Sequence, residues 1–309
     1  MKTVAMLMEN FLSRAKEKNL CVNFLKITQS GKTIGEYSRL NKCRLPSWSL
    51  AKGFTSLGIS IAISEGYLGL EERILDFFPE YSDIVISPNA KDITIENLLT
   101  MTSGLSNPIF FESPQSRTTK DWAEVFFKDS FPYKGGEKWL YSNFNTYMAS
   151  RALEKRVGMT LLEYMTPRFF ERIGIYNPIW ATCPMGHTSA ANGLMLDIDE
   201  LSLYTELLAG KGKIHNKRII SEAYLDKASS PLVDNSSLAN EKNRIYQGYG
   251  YGLQFLVNPE GGYRSEGKFG QFAIAIPEKE IGISVLSLDD RANEIGTLLF
   301  EEIVNPLNK

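Results

Sequence analysis

Apolar residues recur with a helical period from the start of the chain. Val4, Leu7, Met8, Phe11 and Leu12 fall on one side of residues 3–18, which predicts an amphipathic helix. Residues 21–29 then have the density of a strand, Gly31-Lys32 supplies a turn, and residues 33–37 predict a second strand. From Leu50 the helical period returns, with Leu50, Phe54, Leu57 and Ile61 predicting a buried helix that ends near Gly66. Further helical stretches are expected over 68–80, 94–105, 121–127, 143–157, 161–173 and 197–209. Thr94 is a candidate cap for the second of these, with Asn97 in place of the usual Glu, and Gly104 is its expected end. Gly158, Gly174 and Gly210 are expected to stop the last three. Residues 106–120, polar and proline-containing, read as a loop.

After residue 245 the texture changes again. Residues 249–257, 272–276 and 281–288 are strand-like, joined by Gly and Pro turns, and 294–303 predicts a closing helix. No repeat or low-complexity segment interrupts this order. Strands at both ends with helices between predict a mixed α/β fold, in which one sheet draws on both ends of the chain.

Composition narrows the function classes. The 309 residues are 43% hydrophobic, enough for a sizeable core. Net charge is −2 with both signs interspersed, so no basic field points to nucleic acid or to an anionic membrane. Cys21, Cys43 and Cys183 are too few and too odd for a disulfide framework, and buried free thiols are expected. Glu9 breaks the apolar run at Val4–Met8, which is too short for a signal peptide or a spanning helix, so a cytoplasmic location is expected. The two histidines, His187 and His215, have no ligand-spaced partner, and no metal or cofactor is expected. His215 lies in a polar, basic stretch and is expected at an exposed turn. Gly-x-Ser-x-Gly, Walker and Gly-x-Gly-x-x-Gly patterns are all absent.

Three stretches carry candidate chemistry. Ser49-Leu50-Ala51-Lys52 puts a hydroxyl and an amine three residues apart at a helix start, on one face. A serine hydroxyl needs an adjacent base to act as a nucleophile, and a desolvated lysine can be that base. The same spacing also fits a helix cap followed by a solvated lysine. Tyr141-Ser142-Asn143 stands at a loop-to-helix junction, where a phenol beside a lysine can relay protons. A surface tyrosine before a capping asparagine fits as well. The third stretch, Arg264 to Gln271, lies between two late strands. A glycine here permits close backbone approach, and a backbone N–H following it can join that of Ser49 as oxyanion donors. A glycine-containing hairpin loop is the plainer reading.

In this order, the three stretches resemble the superfamily of class C β-lactamases, penicillin-binding proteins and family VIII esterases. Leu98-Leu99-Thr100-Met101-Thr102-Ser103-Gly104-Leu105 is similar to the family's Leu-Leu-Thr-His-Thr-Ser-Gly-Leu, with Met101 at the usual histidine. Residues 135–143 resemble its Pro-Gly-x-x-Phe-x-Tyr-Ser-Asn, with Gly135 replacing proline. Gly193-Leu194-Met195 followed by Asp199-Glu200-Leu201, then Tyr249-Gly250-Tyr251-Gly252 and Ile276-Pro277-Glu278-Lys279, resemble later segments.

The resemblance implies an α/β domain over 1–65 and 190–309, with an antiparallel sheet flanked by helices. A mostly helical domain over 66–189 would face it, with the active site in the cleft between. It implies Ser49 as nucleophile, Lys52 and Tyr141 as the proton-transfer pair, Asn143 as orienting residue, and Gly267-Lys268 beside the oxyanion. The order in which Lys52 and Tyr141 act is left open. At the family's third motif, which is Lys-Thr-Gly, His-x-Gly or, in many esterases, Trp-Gly-Gly, this chain has Ser265-Glu266-Gly267 and keeps only the glycine. Glu266 there would repel a substrate carboxylate.

A small-molecule ester or amide hydrolase is therefore expected, with no nucleic-acid or membrane partner. A β-lactamase or D-amino-acid peptidase on the same machinery is the first alternative, and a non-catalytic ligand-binding homologue the second. Trp48, Phe110, Phe111 and Trp139 are candidates for an apolar pocket or for core. Oligomeric state is not legible.

Overall fold

In a computed structural model that describes residues 3–106, 118–240 and 245–309, the two chain ends do build one sheet. Helix α1 (Val4–Glu17), capped by Thr3, precedes strands β1 (Val22–Gln29) and β2 (Lys32–Ser38). A short strand, β3 (Leu45–Pro46), leads to a single 3₁₀ turn (Trp48–Leu50) and helix α2 (Ala51–Ser64). Helices α3 (Ile95–Leu99), α4 (Trp122–Phe127) and α5 (Asn143–Val157) follow. Helix α6 (Leu161–Met165) passes through a π-helical turn (Thr166–Phe170) into a last turn that ends at left-handed Gly174. Strands β4 (Ile179–Trp180) and β5 (Leu194–Leu196) form a small sheet with β3, in the order β3-β5-β4. Helix α7 (Ile198–Ala209), the hairpin β6 (Lys213–Ile214) to β7 (Lys217–Arg218) and helix α8 (Glu222–Ala228) come next. Strands β8 (Leu256–Val257), β9 (Tyr263–Gly267), β10 (Gln271–Ile276) and β11 (Ile281–Ser287) and helix α9 (Ala292–Leu299) follow, and α9 runs on through a π-helical turn (Phe300–Val304) into a last short helix (Asn305–Asn308).

The main sheet is antiparallel throughout, in the order β2-β1-β11-β10-β9-β8. Its central strands are apolar on both faces because both are covered. On one face Leu25, Ile27, Ile274 and Ile283 meet Leu7 and Phe11 of α1 and Leu298 and Leu299 of α9. On the other, Phe24, Ala273, Ala275 and Leu286 join the larger core that contains α7, α2 and the helices of the middle segment. Leu50, Phe54, Leu57 and Ile61 are all buried in that core, as their spacing predicts. Each such side chain contributes about 1.5–3 kcal/mol on burial, which fixes α2 rigidly beneath the sheet.

Several local expectations need correction. Residues 68–73 are not helical, and the stretch breaks into short 3₁₀ turns at Ile74–Phe77 and Pro79–Ile84. The Thr94 helix stops at Leu99, well before Gly104, because Met101 takes a left-handed φ of 62°. Its capping box nevertheless closes in both directions, with Asn97 replacing Glu. The 3₁₀ turn means Ser49 precedes α2 instead of lying within it. Of the stretch from Arg264 to Gln271, Arg264–Gly267 is a paired strand, and the glycine-containing hairpin turn is confined to residues 268–270. All three cysteines are free, but only Cys183 is buried. His215 is exposed at the β6–β7 turn as expected. The loop read at 106–120 falls largely outside the described residues, as do Phe110 and Phe111. No described helix is long and apolar enough to cross a membrane.

Candidate active site

Lys52 lies on the first turn of α2 and is 2% exposed. Its Nζ is 2.9 Å from Ser49 Oγ, 2.6 Å from Asn143 Oδ1 and 3.1 Å from the Ala191 carbonyl oxygen. Two of these acceptors are carbonyl-type oxygens that only accept. Ser49 can also donate. When the amine is neutral, two N–H bonds serve Asn143 and Ala191, and the lone pair is left for the Ser49 proton. The Tyr141 ring lies 4.8 Å from the same nitrogen. The structure thus brings together Ser49, Lys52, Tyr141 and Asn143 from two segments about ninety positions apart.

Local structure sets each position. Ser142 caps α5 by accepting the Phe144 N–H, so Asn143 is the helix's first residue. The preceding turn is held by Met101. Its carbonyl accepts the Leu140 N–H at 2.8 Å, and its sulfur accepts from Ser142 N and Asn145 Nδ2 at 3.5 Å each. Met101, at the usual histidine position, therefore anchors the tyrosine turn through its carbonyl and its thioether. Tyr141 itself is 38% exposed at the mouth.

Ala191 arrives on the loop between β4 and β5. Three successive carbonyls of that loop are engaged: Ala190 by Thr55 Oγ1, Ala191 by Lys52, and Asn192 by Trp180 Nε1. The loop is pinned from behind by buried Glu154, which accepts the Thr188 N–H at 3.2 Å and the Leu161 N–H at 2.9 Å and contacts His187 Nδ1 at 2.8 Å.

Strand β9 forms the facing wall. At Gly267 a Cβ would come within 2.5 Å of the Ser47 carbonyl oxygen, so glycine is what lets the strand end abut the Ser49 turn. Gly53 of α2 has the matching role further along the helix, where a Cβ would collide with Tyr204 and Ser265. Ser265 is buried there and its Oγ bonds the Tyr204 hydroxyl at 2.9 Å. Glu266 points to the other face of the strand, where Arg264 Nε donates to it at 2.9 Å and Gln247 Nε2 at 2.7 Å. Arg264 is fully buried, 4.9 Å from the centre of the Tyr246 ring. Lys268 is exposed.

Ser49, Lys52, Tyr141, Trp139, Tyr251, Glu266, Gly267 and Lys268 line one cleft of about 490 Å³. Burial pushes the Tyr251 phenol well above its ordinary pKa, and the charges of Tyr141 and Glu266 add to this. Tyr204 is raised by burial in the same way. Both stay neutral near neutral pH. A larger groove of about 990 Å³ lies away from these groups, between α1 and β2. No cluster of three or more His, Cys, Asp or Glu suited to a metal occurs among the described residues.

The profile of the Beta-lactamase family matches residues 28–304. The chain belongs to that family. Among curated relatives it is 24% identical over 248 residues to penicillin-binding protein 4* of Bacillus subtilis (strain 168), covering 69% of this chain and 52% of that protein. The chain thus spans about half the length of that relative. A family VIII carboxylesterase superposes with a TM-score of 0.73 at 14% identity, covering 97% of this chain and 96% of that one. An octameric penicillin-binding protein homologue from Pyrococcus abyssi superposes with a TM-score of 0.76 at 19% identity, covering 100% of this chain and 78% of that one. At these identities the structural likeness establishes the β-lactamase/transpeptidase-type fold.

Three features of the site are not legible from spacing in the sequence. The Ala191 carbonyl is a backbone group placed by a distant loop. Trp139 is a pocket candidate from sequence, but Tyr251, which stacks edge-on against it at 5.8 Å, is not. Arg264 and Glu266 pair because residues two apart on a strand share a face, an alternation that is legible only once the stretch is seen as β9.

Proposed function

We propose that this member of the Beta-lactamase family is a serine hydrolase that forms an acyl-enzyme through Ser49 on a small ester or amide. The observation that supports it is the contact of buried Lys52 with Ser49, with two acceptor-only oxygens on the other sides of the amine. Ser49 Oγ attacks the scissile carbonyl carbon as its proton passes to Lys52, directly or through Tyr141. The carbonyl π pair moves to oxygen, and the N–H groups of Ser49 and Lys268 are the proposed donors to it. As the tetrahedral adduct collapses, Tyr141 returns the proton to the leaving group. Water then attacks the acyl-enzyme, with Tyr141 and Lys52 acting in reverse.

The β-lactamase and D-amino-acid peptidase alternative uses the same steps. The wall beside Gly267 speaks against it, because a carboxylate, Glu266, stands at the third motif. A panel of short p-nitrophenyl esters run beside nitrocefin separates the two. Ester turnover with little nitrocefin cleavage is expected, and the reverse ranking would favour the lactamase. Failure of a fluorophosphonate to label Ser49 in folded protein would favour a binding homologue without catalysis.

A further inference from the structure

The proposed reaction needs two backbone N–H groups, those of Ser49 and Lys268, at a fixed separation, yet they belong to different turns. Ser49 lies in the 3₁₀ turn Trp48–Leu50, which the Leu50 N–H closes on the Ser47 carbonyl. The Ser47 N–H ties this turn to β5 by donating to the Leu194 carbonyl at 2.9 Å. Lys268 lies in the hairpin turn between β9 and β10, which the Gly270 N–H closes on the Gly267 carbonyl. The Asp289 N–H ties that turn to the segment after β11 by donating to the Phe269 carbonyl at 3.1 Å. Two close approaches join the turns. Gly267 abuts the Ser47 carbonyl, and the Trp48 ring packs on the Phe269 ring with centroids 4.8 Å apart and planes tilted by 54°. Trp48 directly precedes Ser49, and Phe269 directly follows Lys268. The ring contact therefore flanks both donors.

Tryptophan is poorly suited to its position on local grounds. Its φ is +51°, which glycine or asparagine adopts readily and a bulky side chain does not. Its indole Nε1 is buried with no hydrogen-bond partner among the described residues, a penalty that phenylalanine or leucine would not carry. Both rings are half-buried, and neither is among the residues lining the cleft. Contact with substrate does not explain Trp48, and local propensity opposes it. What its side chain supplies is the packing on Phe269, and paired rings contribute beyond their buried area.

We propose that Trp48 and Phe269 are positioning residues, whose ring contact clasps the nucleophile turn to the hairpin turn and sets the spacing of the Ser49 and Lys268 N–H groups for a carbonyl oxygen. The proposal rests on the hydrolase reading above and concerns how its oxyanion site is built.

The test assays the full chain on p-nitrophenyl acetate and on its thionoester, in which sulfur replaces the carbonyl oxygen. Sulfur is larger and a weaker acceptor, so a site spaced for oxygen favours the oxo ester. The ratio of the two kcat/KM values reads that spacing. Trp48→Gly removes the ring and suits the positive φ, which separates the ring from the shape of the turn. Phe269→Leu removes the other ring and keeps an apolar side chain. Each should lower kcat on the oxo ester by ~10-fold or more, part of what loss of an oxyanion donor costs, with KM little changed. Each should narrow the oxo/thiono ratio by a similar factor. Phe269→Tyr keeps an aromatic ring and should retain the ratio. Tyr141→Phe, which impairs proton transfer, should slow both esters and leave the ratio in place. Trp48→Gly combined with Phe269→Leu should lose about as much as either change alone, because the rings form one contact.

An unmoved ratio in Trp48→Gly or in Phe269→Leu would overturn the proposal, and so would losses that multiply in the double variant. If Trp48→Gly shows no cooperative urea transition, Trp48→Asn takes its place, since asparagine also accepts a positive φ. Absence of p-nitrophenyl acetate turnover by the unmutated chain would overturn the hydrolase reading and this proposal with it. Turnover with a ratio that neither ring affects overturns this proposal alone.

Discussion

Lys52 and Arg264 are buried basic side chains bordering one cleft, and they are held in opposite ways. Lys52 meets neutral oxygens from three separate segments, one of which can hand it a proton. Arg264 meets a carboxylate two residues away on its own strand, with a carbonyl and an amide behind. A lysine among neutral acceptors can exchange its proton, whereas an arginine paired with a carboxylate stays charged. The first wall keeps the arrangement that its family resemblance implies. The second departs from it and balances its charges internally. The two walls can be perturbed separately.

The largest expected effect falls on the Lys52 wall. Ser49→Ala should abolish acylation, whereas Ser142→Ala should lose only a helix cap, about 1 kcal/mol of stability, and keep most of the labelling by a fluorophosphonate. Equal loss in both would misplace the nucleophile. Tyr141→Phe should lower kcat by ~10²–10⁴, the range of a general acid–base group. Steady-state kinetics on a short ester reads this directly.

Gly267→Ala probes the junction of the two walls. Its new Cβ would lie 2.5 Å from the Ser47 oxygen and would also collide with Gln271 Oε1, so β9 must shift away from Ser49. Activity should drop by ~10²-fold, as for loss of an oxyanion donor. Full activity in this variant would remove β9 from the reaction.

Smaller effects sharpen the contrast. Burial keeps the Tyr251 phenol protonated well beyond its ordinary range. Tyr251→Phe should therefore leave the basic limb of the pH–kcat/KM profile in place, while Tyr141→Phe should change that profile. A shifted basic limb in Tyr251→Phe would make Tyr251 a participant. Far from both walls, Thr94→Ala opens a capping box and should cost about 1 kcal/mol in urea unfolding with no change in kcat/KM.

Much of this arrangement is legible in the chain. The spacing of Leu50, Phe54, Leu57 and Ile61 marks the helix that carries Lys52, and the shared face of Ser49 and Lys52 follows from it. Tyr141 and Asn143 can be paired with them only through the family resemblance, because nothing local links positions that distant. The left-handed turn at Met101 hides the true end of its helix, since propensity does not register where tertiary contacts impose a positive φ. The π-helical turn at Thr166–Phe170 is equally silent. Strand β9 escapes the pattern because its alternation carries Arg264 and Glu266 on a buried face, where apolar residues are the usual marker. A charged pair on one face of a strand leaves no apolar alternation to read in the sequence.

The central claim is most directly tested by intact-protein mass spectrometry, with peptide mapping, after exposure to a mixed panel of esters, amides and lactams. The account predicts one covalent adduct of acyl mass, on the peptide containing Ser49, lost in Ser49→Ala. An adduct mapped to another residue, or ester turnover that persists in Ser49→Ala, would contradict it.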